Sequence, residues 1–404
     1  MSGWLETTPK IHLADILRTH WDEYVHQGGR YIPPHVFKAA NQIMACRTPK
    51  LGTDVYQCPR CSTTKFVYHS CKNRFCPRCG QYETEHWAAT ILSQLPRLKH
   101  HHVVFTLPAQ LRPLAKANPE RLHTLLFHAS AAVIKEWFAE KHHATPGIIS
   151  VLQTAGSDLH YHPHVHMIVS AGGLKTGAWF ELAGEYLVNE KYLAKKFRWM
   201  FLKELVAAYD RGHLQLLGEL VPLQARREFM RLVKKLHSFT WVVSVQPPLT
   251  DPENIVRYVG RYTRRACLSE YRIVKFADGI ITFECKDYAN AAGEKPGYQT
   301  ISLPYAEFFE RLFQHVPLPG FRMVRYYGLY GHLKDLPPMP SVAPQPMPEK
   351  LSWRALQIAK TGEDPLVCPT CGGALVWTQM AFPGAAAFAI QSVPVLKSAY
   401  ADTS

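Results

Sequence analysis

The sequence predicts an α+β protein built around a central antiparallel sheet with flanking helices. Two short segments rich in apolar and β-branched residues, 148–154 and 162–170, are joined by a polar loop and predict a hairpin. Residues 272–286 predict a second hairpin, which turns at Asp278-Gly279. Antiparallel hairpins mixed with longer helical segments are typical of the α+β class.

The other elements follow from helix-breaking residues and hydrophobic periodicity. Residues 10–48 predict two helices, interrupted at Gly28-Gly29 and Pro33-Pro34. Asn118-Pro119 supplies an N-cap and a favoured first position for a helix that reaches about Glu140. The pattern also predicts a strand at 99–107, a helical stretch at 191–237, a strand at 240–246 and a helix at 254–267. No internal repeat is evident.

Composition narrows the functional class. The chain has 404 residues, which is enough for two or three domains, and its 47% hydrophobic content excludes general disorder. The net charge of +14 suits a polyanionic partner such as DNA. The first residues lack a signal-peptide pattern, and no apolar run approaches a membrane span, so we expect a cytoplasmic protein without a membrane partner. In that compartment cysteines are expected to bind metal rather than form disulfides, whereas Cys267 and Cys285 are expected to be ordinary buried thiols.

Six of the ten cysteines lie between Cys46 and Cys79. Two Cys-x-x-Cys knuckles in this segment have a spacing typical of a structural zinc site, with ligands Cys58, Cys61, Cys76 and Cys79. Cys71 and His69 leave alternatives open: they replace one of these ligands, support them from outside, or join Cys46 in a second site. Since about thirty residues cannot form a large apolar core, the metal is expected to supply much of the folding free energy.

A third knuckle, Cys368-Pro-Thr-Cys371, follows a proline-rich stretch at 336–348 that is typical of a semi-rigid linker. A four-coordinate zinc site needs two further ligands. The knuckle is therefore either the remnant of a degenerate zinc ribbon or part of a site shared with another segment.

Residues 162–170 carry a potential metal-binding pattern. Side chains alternate between the faces of a strand, so His162, His164 and His166 are expected to share one face while the apolar residues pack on the other. Two imidazoles on one strand can hold a metal ion.

The helix at 254–267 carries two candidate nucleophiles. Tyr258 and Tyr262 are four residues apart, which places their Cβ atoms roughly 5–6 Å from each other. The same helix bears guanidinium groups suited to a phosphate backbone: Arg257, Arg261, Arg264 and Arg265.

These residues resemble a known family. His164 and His166 resemble the histidine–hydrophobe–histidine (HUH) signature of single-strand DNA endonucleases. Tyr258 and Tyr262, in the run Arg-Tyr-Val-Gly-Arg-Tyr-Thr-Arg-Arg, resemble the two-tyrosine motif of the rolling-circle transposases of the insertion sequence ninety-one family. The similarity also takes in the cysteine segment, the hairpin at 273–288 and the run at 325–329, and thus covers about residues 40–335.

The resemblance implies an HUH-type fold with the histidines on the central strand and the tyrosine helix beside the sheet. It implies catalytic Tyr258 and Tyr262, cleavage through 5′-phosphotyrosine links, and single-stranded DNA at element ends and target as substrate. The expected domains are a helical segment (1–50), a zinc-binding module (51–95), the HUH two-tyrosine domain (96–335), and a proline-rich linker with a tail (336–404).

The catalytic metal is expected to be Mg²⁺ or Mn²⁺, because two imidazoles with oxygen ligands leave positions open for phosphate. Gln153 is the predicted third protein ligand, since a hairpin register can place it opposite the histidine pair. The other interpretation is that Gln153 only caps the loop. His162 is the next candidate ligand, followed by Asp158 and His160.

The sequence contains no phosphate-binding loop for a built-in helicase, so a host helicase is an expected partner. The expected setting is the bacterial nucleoid, and the oligomeric state stays open. Other classes compatible with the sequence are a plasmid replication initiator or relaxase, and a noncatalytic zinc-dependent DNA-binding regulator.

Overall fold

A computed structural model describes residues 11–29, 31–184, 187–249, 256, 259–260, 267–287, 297–335 and 352–382. By its internal contacts the chain divides into two units. The first, here called the terminal unit, combines residues 12–79 with 349–404; the second, the central unit, comprises residues 80–348 with the first eleven. This division differs from the four sequence-based segments because strands from both ends of the chain pair with each other.

The terminal unit contains helices α1 (Leu13–His26), α2 (Pro34–Ala45) and α9 (Trp353–Thr361). Helix α2 begins at a proline, as the sequence predicts, because the first position of a helix needs no backbone donor. Three antiparallel strands follow the order β12-β1-β2: β1 (Thr53–Gln57), β2 (Thr64–Tyr68) and β12 (Val376–Ala381). The tail therefore contributes a strand to the zinc module expected at 51–95.

Helix α3 (Pro77–Gln94) leads into the central unit, whose large sheet has the order β11-β4-β5-β3-β7, with β6 paired to β5. Its strands are β3 (His100–Thr106), β4 (Thr145–Ala155), β5 (Tyr161–Lys175), β6 (Ala178–Glu181), β7 (Val243–Val245) and β11 (Val324–Gly328). All pairings are antiparallel, and β4 with β5 forms the predicted hairpin.

One face of this sheet packs into the main apolar core. Alternate residues of β3, β5 and β4, such as Phe105, Met167 and Leu152, are buried there beneath the helices. The described helices that contribute to this core are α4 (Arg112–Ala117), α5 (Pro119–His142), α6 (Glu190–Asp210) and α7 (Arg226–Ser238). The start of α5 at Pro119 and its end near Glu140 agree with the sequence prediction.

A second sheet has the order β10-β9-β8 and is followed by helix α8 (Tyr305–Phe313). Its strands are β8 (Ile273–Ala277), β9 (Ile280–Asp287) and β10 (Gly297–Pro304). The predicted turn is present, with positive φ at Asp278 (51°) and Gly279 (72°), which suits a two-residue hairpin. The α+β class with antiparallel sheets is confirmed. Among the described residues, no helix combines the length and apolar character that a membrane crossing needs.

Candidate active site and metal centres

The predicted histidine pair lies on β5, where alternation aims both imidazoles at the face of the large sheet opposite the main core. Gln153 on β4 pairs directly with His164, so the hairpin register places it beside the pair. Its Oε1 lies 3.0 Å from Nε2 of His164 and 2.9 Å from Nε2 of His166. We call this side of the sheet the histidine face. The expected position of Gln153 opposite the histidines is present.

A hydrogen bond at Nδ1 fixes the tautomer of His164. Nδ1 lies 2.6 Å from the carbonyl oxygen of His162, which can only accept, so Nδ1 carries the hydrogen. Burial lowers the pKa of His164 to about 4, which keeps the ring neutral near neutral pH. The Nε2 lone pair of His164 therefore points at the side-chain amide of Gln153.

A divalent cation would satisfy all three atoms. With no ion, the amide must turn its NH₂ group toward the imidazole lone pairs; with an ion, the lone pairs and the amide oxygen can converge on the same charge. Cis ligands of an octahedral Mg²⁺ with bonds of 2.0–2.1 Å are about 3 Å apart. The two separations from Gln153 Oε1 match that value, so the amide oxygen and each imidazole nitrogen could be neighbouring ligands of one divalent metal.

A third histidine, missed by the sequence analysis, contacts the pair. Nε2 of His102 on β3 lies 2.9 Å from Nδ1 of His166, and the two rings are nearly parallel, at an interplanar angle of 8°. When His166 donates from Nδ1, its Nε2 lone pair is directed toward Gln153, as in His164. Burial lowers the pKa of His102 to about 4 and holds that of His166 well below its ordinary value, which favours neutral rings near neutral pH.

The other candidate ligands have different partners. His162 lies next to His164, but its Nδ1 is 3.0 Å from a guanidinium nitrogen of Arg112, which donates to it. In the β4–β5 loop, His160 and Asp158 pair with each other at 2.7 Å in an exposed position. Of the predicted third ligands, Gln153 alone is placed by these contacts between both imidazoles.

The candidate nucleophiles and the arginine set lie outside the described residues: Tyr258, Tyr262, Arg257, Arg261, Arg264 and Arg265. Neighbouring positions are described. Val256 and Val259 are helical and fully buried, in one cluster with Ile149, Val151 and Ile168 of the histidine face. The helix predicted at 254–267 thus has two described residues packed on the face that carries the histidine pair.

The predicted single zinc site requires a correction. Cys76 and Cys79 group with Cys46 and Cys71, whereas Cys58 and Cys61 group with the C-terminal knuckle Cys368 and Cys371. In each group the four sulfurs lie within 4.8 Å of one another. We call them the N-terminal cluster and the bipartite cluster. Chain spacing misleads here because the pairing of β12 with β1 brings in a knuckle from the far end of the chain.

The N-terminal cluster is buried and backed by backbone donors. Cys79 Sγ lies 3.5 Å from Cys46 Sγ and 3.7 Å from Cys71 Sγ, and the backbone N–H of Cys71 points at Cys46 Sγ. Hydrogen bonds from Cys46 and the other neighbouring thiols lower the pKa of Cys79. Cys76 and Cys79 stand at the start of α3, where the helix dipole also favours a thiolate.

His69, an alternative ligand in the sequence analysis, belongs to neither cluster. Its ring bonds Asp54 at 3.0 Å and the carbonyl oxygen of Leu51 at 3.2 Å. Cys71, the other undecided residue, joins Cys46, as one of the sequence-based alternatives has it.

Comparisons with known proteins relate the chain to transposases. Residues 147–336 match a family described as "Putative transposase", and residues 16–107 match the transposase zinc-binding domain. Protein y4qJ of Sinorhizobium fredii, also described as a putative transposase, is 32% identical over 372 residues, covering 89% of this chain and 92% of its own. The transposase for insertion sequence element IS801 of Pseudomonas savastanoi pv. phaseolicola is 28% identical over 369 residues, covering 89% and 86%. No solved structure matches the chain.

Proposed function

Because the chain belongs to the insertion sequence ninety-one family of transposases, we propose that it cleaves and rejoins single-stranded DNA through 5′-phosphotyrosine links on an HUH-type sheet. The observation that carries the proposal is the convergence of His164 Nε2 and His166 Nε2 on Gln153 Oε1. Three neutral ligand atoms on a buried face form an incomplete coordination shell, which suits a metal that must also accept a phosphate oxygen.

His164, His166 and Gln153 would hold one Mg²⁺ or Mn²⁺. When bound, the ion supplies Lewis-acid polarisation of the scissile phosphate and neutralises charge that develops during attack. The protein residues hold the ligand atoms in place: the carbonyl of His162 orients His164, and His102 orients His166. Neutral imidazoles are required for this role, and burial provides them near neutral pH.

We assign the nucleophiles to Tyr258 and Tyr262. The tyrosine oxygen attacks phosphorus, the bond from phosphorus to the 3′ oxygen breaks, and that oxygen leaves as a 3′-hydroxyl after taking up a proton. Tyrosine with a pKa near 10 is about 0.1% ionised near neutral pH, so forming the phenolate costs about 4 kcal/mol. The charge of a bound cation would lower that cost.

Two tyrosines permit two cleavages, because each phosphotyrosine link conserves the energy of the phosphodiester bond that is broken. One can keep a DNA end covalently bound while the other cuts a second strand, and a free 3′-hydroxyl then attacks the phosphotyrosine to join the strands. This chemistry suits single-strand, rolling-circle transposition with host helicase assistance. Arg257, Arg261, Arg264 and Arg265 are proposed to bind the phosphate backbone.

The proposal is tested by covalent adduct formation. Purified protein, a single-stranded oligonucleotide carrying an element end and Mn²⁺ are incubated, and the products are separated under denaturing conditions. We expect an adduct with wild type and none with His164→Ala or His166→Ala, while DNA affinity is retained. His160→Ala is the matched control, because this exposed histidine pairs with Asp158 outside the site. Adduct formation at the wild-type rate in His164→Ala and in His166→Ala would contradict the proposed site.

A further inference from the structure

We propose that the bipartite cluster is a second structural zinc site, which fastens the C-terminal segment to the N-terminal hairpin. Its ligands are Cys58 and Cys61 from the turn between β1 and β2, and Cys368 and Cys371 from the turn before β12. The latter two lie outside both matched family segments, 16–107 and 147–336. The inference does not depend on the proposed catalytic function.

The sulfur geometry fits a tetrahedral ion. Cys58 Sγ lies 3.5 Å from Cys371 Sγ, and Cys61 Sγ lies 3.5 Å from Cys368 Sγ. A tetrahedral zinc with bonds of about 2.3 Å places its sulfurs about 3.8 Å apart. All four cysteines are free thiols, and four thiolates in this arrangement are the ligand set of closed structural zinc sites.

The two knuckles have the same backbone design. In the first, the N–H of Ser62 bonds the carbonyl of Cys58, and the N–H of Cys58 bonds the carbonyl of Thr63. In the second, the N–H of Gly372 bonds the carbonyl of Cys368, and the N–H of Cys368 bonds the carbonyl of Gly373. A side-chain bond of 3.1 Å between Thr63 and Thr370 links the turns. Each turn thus presents its two thiols to the other in equivalent positions.

The apolar core beside the cluster is small in the part of the chain that the structure describes. The associated core has four buried residues, Tyr56, Cys58, Cys368 and Leu375. Three adjacent strands add backbone pairing, and Lys65 donates to the carbonyl of Pro365 at 2.6 Å. A core of this size rarely stabilises a module alone, so metal binding is expected to contribute directly to its folding free energy.

The two clusters differ in the solvent exposure of their cysteines. Cys61 and Cys371 are exposed, whereas three cysteines of the N-terminal cluster are buried and the fourth is half-buried. A chelator reaches exposed ligands first. We therefore expect two classes of zinc release from the full chain, with the bipartite cluster losing its ion faster.

Zinc content of the full-length protein tests the inference. Elemental analysis should find two zinc ions per chain in wild type, one in Cys368→Ser/Cys371→Ser, and two in the control Cys267→Ser, which changes a cysteine outside both clusters. One zinc in wild type, or two in the double variant, would overturn the second site. Cys46→Ser/Cys71→Ser should lose the other ion, which distinguishes the clusters.

A second measurement covers the case in which the double variant does not fold. Wild-type protein is mixed with a chromogenic zinc chelator, and release is followed together with proteolysis of the C-terminal segment. We expect the zinc ion that is released first to leave at the same time as the C-terminal segment becomes sensitive to the protease. A single release phase, or a segment that stays resistant after that ion has left, would contradict a zinc-dependent attachment.

Discussion

Nε2 of His102 lies 2.9 Å from Nδ1 of His166, and the two imidazoles are nearly parallel on neighbouring strands of the large sheet. This contact determines which nitrogen of His166 faces Gln153. When His102 accepts at Nε2, the hydrogen of His166 lies on Nδ1 and its Nε2 lone pair is left for a cation. We therefore propose that His102 is a positioning residue, which would act on the proposed metal site through His166.

Replacing His102 is expected to weaken metal activation more than protein stability. His102→Ala should raise the Mn²⁺ concentration that gives half-maximal cleavage by about 10–100-fold, the range typical of lost partners of metal ligands. His102→Gln retains an acceptor and should recover part of that loss. The measurement is the Mn²⁺ dependence of adduct formation, with the thermal midpoint determined in parallel.

His101→Ala is the control for this change. His101 lies on the same strand but on the other face, and its Nδ1 bonds the carbonyl of Gln246. It should lower stability without changing the half-maximal Mn²⁺ concentration. If wild type and His102→Ala had the same Mn²⁺ dependence, His102 would not position the proposed metal site.

Gln153 should tune the site through its oxygen. Gln153→Ala removes one neutral ligand and is expected to weaken Mn²⁺ activation while leaving measurable cleavage at high metal concentration, because both imidazoles stay. Gln153→Glu supplies a charged oxygen and should lower the metal requirement instead. Gln246→Ala, which alters an exposed glutamine, serves as control. If Gln153→Ala and wild type had the same Mn²⁺ dependence, Gln153 would not be a metal ligand and would only cap the loop.

The sequence predicted the relative positions of His164, His166 and Gln153 better than the grouping of the cysteines, and the reason is physical. His164, His166 and Gln153 belong to one hairpin, so alternation along each strand and a short connection determine their relative positions. The partners of Cys58 and Cys61 are about 300 residues away, and local spacing carries no information on such pairings. His102 escaped notice for the same reason, because the register of β3 against β5 is a long-range property.

A buried histidine outside the metal sites should make folding sensitive to acid. Burial lowers the pKa of His315 to about 4, and its ring is held neutral between the hydroxyl of Thr154 and the carbonyl of Leu159. The unfolded chain binds this proton near pH 6.5. Stability from His315 is therefore full above pH 6.5 and is lost as the pH falls from 6.5 toward about 4.

The expected loss at His315 is about 2 kcal/mol on going from about pH 7 to about pH 5. Denaturant unfolding of wild type and His315→Gln at both pH values measures it, since glutamine has no titrating group. The variant should show a smaller decrease in unfolding free energy on acidification. A decrease as large as that of wild type would show that His315 is not the titrating residue.

The two-nucleophile mechanism rests on Tyr258 and Tyr262, which stand four residues apart in the sequence. Each single Tyr→Phe change should allow at most one covalent DNA link per chain and stop complete transposition, whereas the double change should abolish adducts and retain DNA binding. Phenylalanine keeps the ring, so a loss of activity reports the missing hydroxyl. Tyr271→Phe, at a highly exposed tyrosine close in sequence, should behave as wild type. Normal transposition by Tyr262→Phe would reduce the mechanism to one tyrosine, and adducts from the double variant would exclude both tyrosines as the nucleophiles.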